Sequence, residues 1–256
     1  MFKHILCALI LSLFNTASSA TNQTITAWSY YPTEPFLTDA KRNAGLAQDL
    51  VQYLNQALTG KYQLRLQLLP RNRLDLALAS GEKGIVLFAP SVIFGGMQHS
   101  RYNWSSALLH DNQGFVSRAD KVFEYDTPQS LYGVHFLAMR GHYFPRLQKD
   151  IDEGKILVNR ADSEGALLRM LIAKRADVIT LPDSVVQYFI VQNPSLKKEL
   201  YLSNKKLESF SRHLLFQQGM EEEFKNIEPL ILKINSDPKW IAILRKYGLG
   251  PSQQTP

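Results

Sequence analysis

The 256-residue chain contains one cysteine, Cys7, and it stands at the head of an N-terminal apolar run. Beyond that point no disulfide, thiol nucleophile or cysteine metal site can form. Long apolar runs are also missing, since no later stretch approaches the ~20 residues of a membrane-spanning helix. The basic residues outnumber the acidic ones by a formal charge of +6. They are scattered, with no run of five or more, which speaks against a nucleic-acid partner. There is no G-x-S-x-G elbow, no H-E-x-x-H pair and no phosphate-binding loop, and the six histidines never form a ligand-like pair. These absences exclude the familiar hydrolase, zinc-protease and nucleotide-hydrolysing sites, and no cofactor or metal is expected.

What is present begins with an export signal. Lys3 lies ahead of the apolar stretch Ile5 to Phe14, and Ala17-Ser18-Ser19-Ala20 supplies small residues where a signal peptidase reads them. Residues 1–20 therefore read as a signal peptide cleaved after Ala20. About ten apolar residues are too few to cross a ~30 Å hydrocarbon core, and Cys7 lies at the wrong end of the run for lipidation. A content of 45% hydrophobic and 20% charged residues is ordinary for a globular protein, so the mature chain is expected to be soluble.

Thr24 to Ser29 alternates as a strand does, and Tyr30-Tyr31-Pro32-Thr33-Glu34-Pro35-Phe36 breaks it with an aromatic loop. Apolar residues then recur at helical spacing from Leu46 to Leu58 and stop at Gly60. Tyr62 to Leu68 alternates again, Leu74 to Ala79 forms a short helix ended by Gly81, and Ile85 to Ala89 makes a buried strand. This βαβαβ order predicts an α/β layer with a largely parallel sheet. A second such unit follows Phe115 to Arg118: strand Leu131 to Met139, helix Tyr143 to Asp152, strand Ile156 to Asn159, helix Glu164 to Ala173 and strand Asp177 to Leu181. Two similar units imply two lobes with a cleft between them. The tail carries helices over Glu221 to Ile234 and Pro238 to Tyr247.

The order of these landmarks resembles the bacterial extracellular solute-binding protein family 3, the binding components of polar amino acid ABC importers. The residues that carry the resemblance are the loop Tyr30 to Phe36, Gly45-Leu46-Ala47-Gln48-Asp49-Leu50, Arg101-Tyr102-Asn103-Trp104-Ser105-Ser106, Leu131-Tyr132-Gly133 and Met139-Arg140-Gly141. Ala166 to Leu171, Arg175 to Ile179 and Trp240 to Leu249 continue it through nearly the whole mature chain. The resemblance implies a two-lobed α/β periplasmic binding fold, a Venus flytrap with a mainly parallel sheet and flanking helices in each lobe and two hinge crossings. Lobe 1 would hold residues 21–116 and 216–256, lobe 2 residues 117–215, with crossings near Phe115 to Arg118 and Leu214 to Gln217.

A cleft for a zwitterionic or anionic solute needs a planar cation, aromatic faces and helix N-terminal amides. The resemblance places the carboxylate-gripping arginine at Arg101. Tyr30, Tyr31 and Phe36 follow the first strand, where side chains face the cleft, and Phe88, Trp104 and Tyr143 are further aromatic candidates. In the second lobe Ser163 reads as the N-cap of a helix and as a donor to ligand, and Arg140 ends the first strand facing the cleft. The acid that holds the ligand ammonium in such proteins would end the strand beginning at Asp177. The sequence there reads Thr180-Leu181-Pro182-Asp183, so Asp183 is either displaced by one position or leaves the contact absent. Arg71 and Arg73 add positive charge at one rim.

The function expected is capture of a small polar, amino-acid-like or carboxylate ligand in the periplasm, as a monomer that delivers it to an ABC permease. A sensor that presents its closed form to a membrane receptor is the alternative. A dehydratase-like cleft enzyme would need an acid and a base in the cleft, which Glu34 and Asp183 would supply only by coincidence, so no catalytic residue is assigned.

Overall fold

In a computed structural model the described residues are 22–98 and 100–250; the expected leader and its cleavage site lie outside them. The first half alternates as read. β1 (Gln23–Ser29) leads through the aromatic loop to α1 (Leu46–Ala57), β2 (Tyr62–Leu68), α2 (Arg71–Ser80) and β3 (Ile85–Pro90). The apolar stripe Leu46, Ala47, Leu50, Val51 and Leu54 is the buried face of α1, as a 3.6-residue period requires. β1 pairs in parallel with both β2 and β3.

A single 3-10 turn (Ser91–Phe94) and the short β4 (Asn103–Trp104) lead into a long strand, β5 (Leu109–Arg118). The second unit holds β6 (Phe136–Met139), α3 (Gln148–Asp152), β7 (Val158–Ala161), α4 (Glu164–Ile172), β8 (Val178–Pro182), α5 (Asp183–Gln192), α6 (Leu196–Glu199) and β9 (Leu200–Leu202). β6 pairs in parallel with β7 and β8. β10 (Glu208–Phe216) then returns, and α7 (Glu221–Ile234) and α8 (Pro238–Lys246) close the chain.

All strands share one sheet in the order β2-β1-β3-β10-β5-β8-β6-β7, with β4 on β10 and β9 on β5. The side chains nonetheless divide into two sets of cores. Buried apolar residues from 25–109 and 214–249 pack on the two faces of the first half, and those from 115–207 on the two faces of the second. The link is a two-strand ribbon in which residues 109–113 of β5 pair antiparallel with 208–212 of β10. Such a narrow connection is where hinge motion concentrates. The expected crossings at 115–118 and 214–217 fall on these same strands, but Phe115, Val116, Leu214 and Phe216 are already core residues of their lobes.

Two expected elements are shorter in the structure. The strand from Leu131 starts at Phe136, because Pro128–Leu131 form a 3-10 turn and Gly133 adopts φ +69°. The helix from Tyr143 starts at Gln148, consistent with Pro145 disfavouring helical backbone at Phe144. Phe144 and Leu147 are buried in the second lobe's core instead.

Candidate functional site

In open α/β sheets ligands bind beyond the carboxyl ends of the parallel strands. In lobe 1 those ends are Ser29 of β1 and Pro90 of β3, which run on into Tyr30–Phe36 and the turn at Ser91–Phe94. In lobe 2 they are Met139 of β6 and Ala161 of β7, followed by Arg140-Gly141-His142 and by Asp162-Ser163-Glu164 at the start of α4.

The lobe 1 edge is an aromatic wall. Its ring centroids step from Trp104 to Phe94 (6.3 Å), Tyr30 (5.8 Å), Tyr31 (4.3 Å), Phe36 (4.4 Å) and Phe88 (5.1 Å). The loop that presents it is fixed from below, because the first amides of α1 donate to it, Leu46 N–H to Pro35 O (2.9 Å) and Ala47 N–H to Phe36 O (3.2 Å). These are donors a helix start leaves without intrahelical partners. Two guanidiniums lie on the rings. Arg71 stands 4.4 Å from the Phe94 centroid and 5.5 Å from that of Tyr30. Arg212 of β10 stands 4.7 Å from Phe36 and 5.1 Å from Tyr31, within cation–π range.

Arg212 also ties the wall to the other lobe. It is 2% exposed; its Nη1 donates to the Tyr31 hydroxyl (2.6 Å), and its Nε and Nη2 donate to Asp111 Oδ2 (3.1 and 2.8 Å). Asp111 of β5 accepts in addition from the backbone N–H (3.1 Å) and hydroxyl (2.6 Å) of Ser184, in the first turn of α5, where the helix dipole favours an anion. Burial opposes the guanidinium charge, but Tyr31 and Asp111 outweigh it and hold the Arg212 pKa above its ordinary value. The Tyr31 hydroxyl donates onward to Phe88 O (3.1 Å), and the Tyr30 hydroxyl lies 2.7 Å from it. Desolvation raises the pKa of both phenols, so both keep their protons. Phe88 itself sits at φ +53°, a strained conformation for a bulky residue.

The lobe 2 edge carries a helix start and a histidine. Ser163 caps α4, its side chain accepting from Ala166 N–H (3.1 Å). Glu164, the first helical residue, is 9% exposed, and its Oε2 has no hydrogen-bond partner among the described residues. Desolvation raises its pKa, and the Glu34 charge of lobe 1 adds to that; its own amide, the Thr33 hydroxyl and the Arg212 charge pull the other way. The α4 start thus lies near Thr33 and Glu34 on the loop after β1. His142 leaves its ring accessible, yet desolvation lowers its pKa, followed by the charges of Arg160 and Arg212. An imidazole held below its ordinary pKa is neutral at pH 7. Arg160 donates from Nη1 to Met139 O (3.2 Å) and His142 O (3.1 Å) and stabilises that turn.

Of the expected residues, Tyr30 and Tyr31 stand on the lobe 1 edge and Ser163 at the start of α4 on the lobe 2 edge, while Phe36 is 2% exposed and belongs to the lobe 1 core beneath Tyr31. Phe88 is fully buried and offers only its carbonyl to the network. Trp104 stands one ring behind Phe94, its Nε1 donating to Ser100 Oγ (3.1 Å). Arg140 is exposed and pairs with Asp162 at 2.6 Å, and Tyr143 is exposed as well. Asp183 accepts from Lys206 Nζ (3.1 Å) and Asn112 Nδ2 (3.0 Å). Arg101 is not in this group. It lines a shallow depression with Leu78–Gly81 and Gln217–Gly219, its Nη2 donating to the Tyr102 hydroxyl at 2.9 Å. That depression lies where Gln217 N–H meets Gly84 O, before β3 begins, at the sheet edge opposite the cleft. The arginine buried behind the aromatic wall is Arg212. Sequence reading missed it together with Asp111, because β10 and the first half of β5 were not recognised as strands; a lone arginine inside Phe210-Ser211-Arg212-His213-Leu214-Leu215-Phe216 was the available signal.

No protein-family model matches the chain, and no curated protein matches it by sequence. Solved structures match it in shape. A mutant of ArgBP from T. maritima superposes with a TM-score of 0.64 at 17% identity, covering 88% of this chain and 94% of that one. An ancestral arginine-binding protein bound to arginine gives 0.65 at 15% identity, over 88% and 98% of the two chains. The GluR0 ligand-binding core from Nostoc punctiforme in complex with L-glutamate gives 0.63 at 15%, over 87% and 98%. At such identities the likeness shows architecture, and the chain has the two-lobed α/β fold of periplasmic-type binding proteins.

Proposed function

We propose that this chain is an exported, periplasmic solute-binding protein that closes its lobes on a small polar, amino-acid-like or carboxylate ligand and hands it to an ABC permease. The observation that carries the reading is that, in a two-lobed fold, the Tyr30–Tyr31 rings stand at the carboxyl ends of the lobe 1 strands and the Ser163-capped start of α4 at those of lobe 2. Aromatic faces supply contact area and the capped helix start supplies oriented dipoles, the mix of apolar lining and few polar groups that small-molecule sites use. The fold supports the same reading, since the structures it matches are named for arginine or solved with glutamate. Tyr30, Tyr31 and Ser163 are the proposed ligand-facing residues, with Phe36 packed behind Tyr31; Arg140 stands at the rim, and no reaction is assigned to the site.

Thermal-shift screening of the exported protein against amino acids, small carboxylates and polyamines tests this. A ligand present at 100 times its Kd should stabilise the fold by about 2.7 kcal/mol. A flat response across all three classes counts against a solute-binding role.

A further inference from the structure

The lobes also touch outside the two-strand ribbon. α5 belongs to lobe 2 by its core, where Val185 and Val186 are buried. Tyr188, on another side of the same helix, packs against the lobe 1 core and stacks on Tyr247 at the end of α8, with ring centroids 6.3 Å and planes 29° apart. The next lobe 1 residue, Gly248, comes close to the α5 backbone. A Cβ there would stand 2.7 Å from Gln187 O and 2.7 Å from Val191 Cγ2, and its φ of +73° also favours glycine.

Both partners are fixed within their own lobes. Tyr247 is buried, and its hydroxyl donates to Asp49 Oδ2 (3.1 Å) in the first turn of α1, the helix whose start holds Pro35 and Phe36 of the cleft loop. Burial and the Asp49 charge raise the Tyr247 pKa, so the phenol keeps its proton and remains a donor. At its other end α5 is tied to the ribbon. Asp183 accepts from Lys206 Nζ (3.1 Å) and Asn112 Nδ2 (3.0 Å), and Ser184 donates to Asp111 from its amide (3.1 Å) and its hydroxyl (2.6 Å). The helix thus runs as a bar from the ribbon to the lobe 1 surface. Its contact with lobe 1 lies on the cleft-loop side of the ribbon: Tyr247 is bonded to the helix that anchors the loop, and burial followed by the Glu34 charge raises the Tyr188 pKa. A contact on that side is pulled apart as the lobes swing open.

We propose that the packing of Gln187, Tyr188 and Val191 on Tyr247 and Gly248 is a strap between the lobes that limits how far the cleft opens. Residues that line no part of the cleft would then set its resting width, because an open–closed equilibrium shifts with any contact made more fully in one of its states, and a stacked aromatic pair is such a contact.

Small-angle scattering of the ligand-free exported chain, compared across Tyr188→Ala, Tyr188→Phe and Val191→Glu, tests the strap, with circular dichroism to check that each variant keeps its native helix content. Tyr188→Ala removes the ring and should raise the radius of gyration above the parental value, whereas Tyr188→Phe keeps the stack and should scatter as the parent does. Val191 is 46% exposed, so the fold tolerates Val191→Glu, and a longer charged side chain against Gly248 should widen the lobes as well. If Tyr188→Ala does not fold, Val191→Glu decides. Parental scattering from the folded Tyr188→Ala and Val191→Glu chains overturns the proposal, and so does equal widening in Tyr188→Phe. No ligand enters the measurement, so its outcome is independent of the solute-binding reading.

Discussion

Arg212 spends all of its guanidinium nitrogens inside the protein, two on Asp111 and one on Tyr31. It therefore acts as a strut between hinge and wall. Removing one member of a buried pair strands the other, at a cost of about 3–5 kcal/mol. Arg212→Met is expected to lose that much stability in urea unfolding and to loosen the Tyr31 ring. Arg101 provides the contrast, since it is exposed and, among the described residues, touches its neighbour Tyr102 by hydroxyl and ring; Arg101→Ala should stay within about 0.5 kcal/mol of the parent in stability, as surface changes do, and should leave ligand affinity unchanged. A drop in affinity for Arg101→Ala with Arg212→Met unaffected would reverse these roles. The sequence made the opposite choice because a family-style landmark, Arg101 ahead of Trp104-Ser105, can be read from linear order, whereas a buried strut depends on which strands become neighbours.

At the scale of elements, the cleft loop is positioned by the start of α1. Gly45 precedes that helix at φ +139°, and a Cβ there would stand 2.4 Å from Phe36 O. Both the backbone angle and the contact demand glycine. Gly45→Ala should then cost more than about 1 kcal/mol, as alanine does where the native φ is positive, and should also weaken ligand binding by displacing Phe36 from its stack on Tyr31. Differential scanning calorimetry paired with titration checks both parts, and a variant with parental affinity would mean that the loop is not anchored through this turn. Elements with strong period or clear punctuation were legible in the sequence: α1 by its apolar stripe, α4 by Ser163, α8 by Pro238 and Gly248. β10 was not, because Glu208-Ser209-Phe210-Ser211-Arg212 mixes polar and apolar residues as a ribbon between two lobes must, with no single core to impose alternation. The helix α5 was not read either: the sequence offered Asp183 only as an acid at a strand end, and it opens the helix directly after Pro182.

For the whole molecule, two sets of cores are joined by a ribbon of five residue pairs, with Tyr188 of α5 also packed against the first half and stacked on Tyr247 (6.3 Å), and relative rotation concentrates at such a ribbon. The network Tyr31–Arg212–Asp111–Ser184 crosses that ribbon and links the aromatic loop of lobe 1 to α5 of lobe 2, so a ligand that pulls on Tyr31 also acts on the hinge. A ligand shifts an open–closed equilibrium only by its differential affinity for the two states, and contacts from both Tyr30–Tyr31 and the α4 start exist together only when the lobes are closed. The wild-type chain is therefore expected to show a smaller radius of gyration in small-angle scattering at saturating ligand. Arg212→Met should bind with a smaller change, because its cleft loop no longer reports to the hinge. An unchanged scattering profile with ligand demonstrably bound would mean that the lobes hold one angle and that capture proceeds by local rearrangement of the loop after β1.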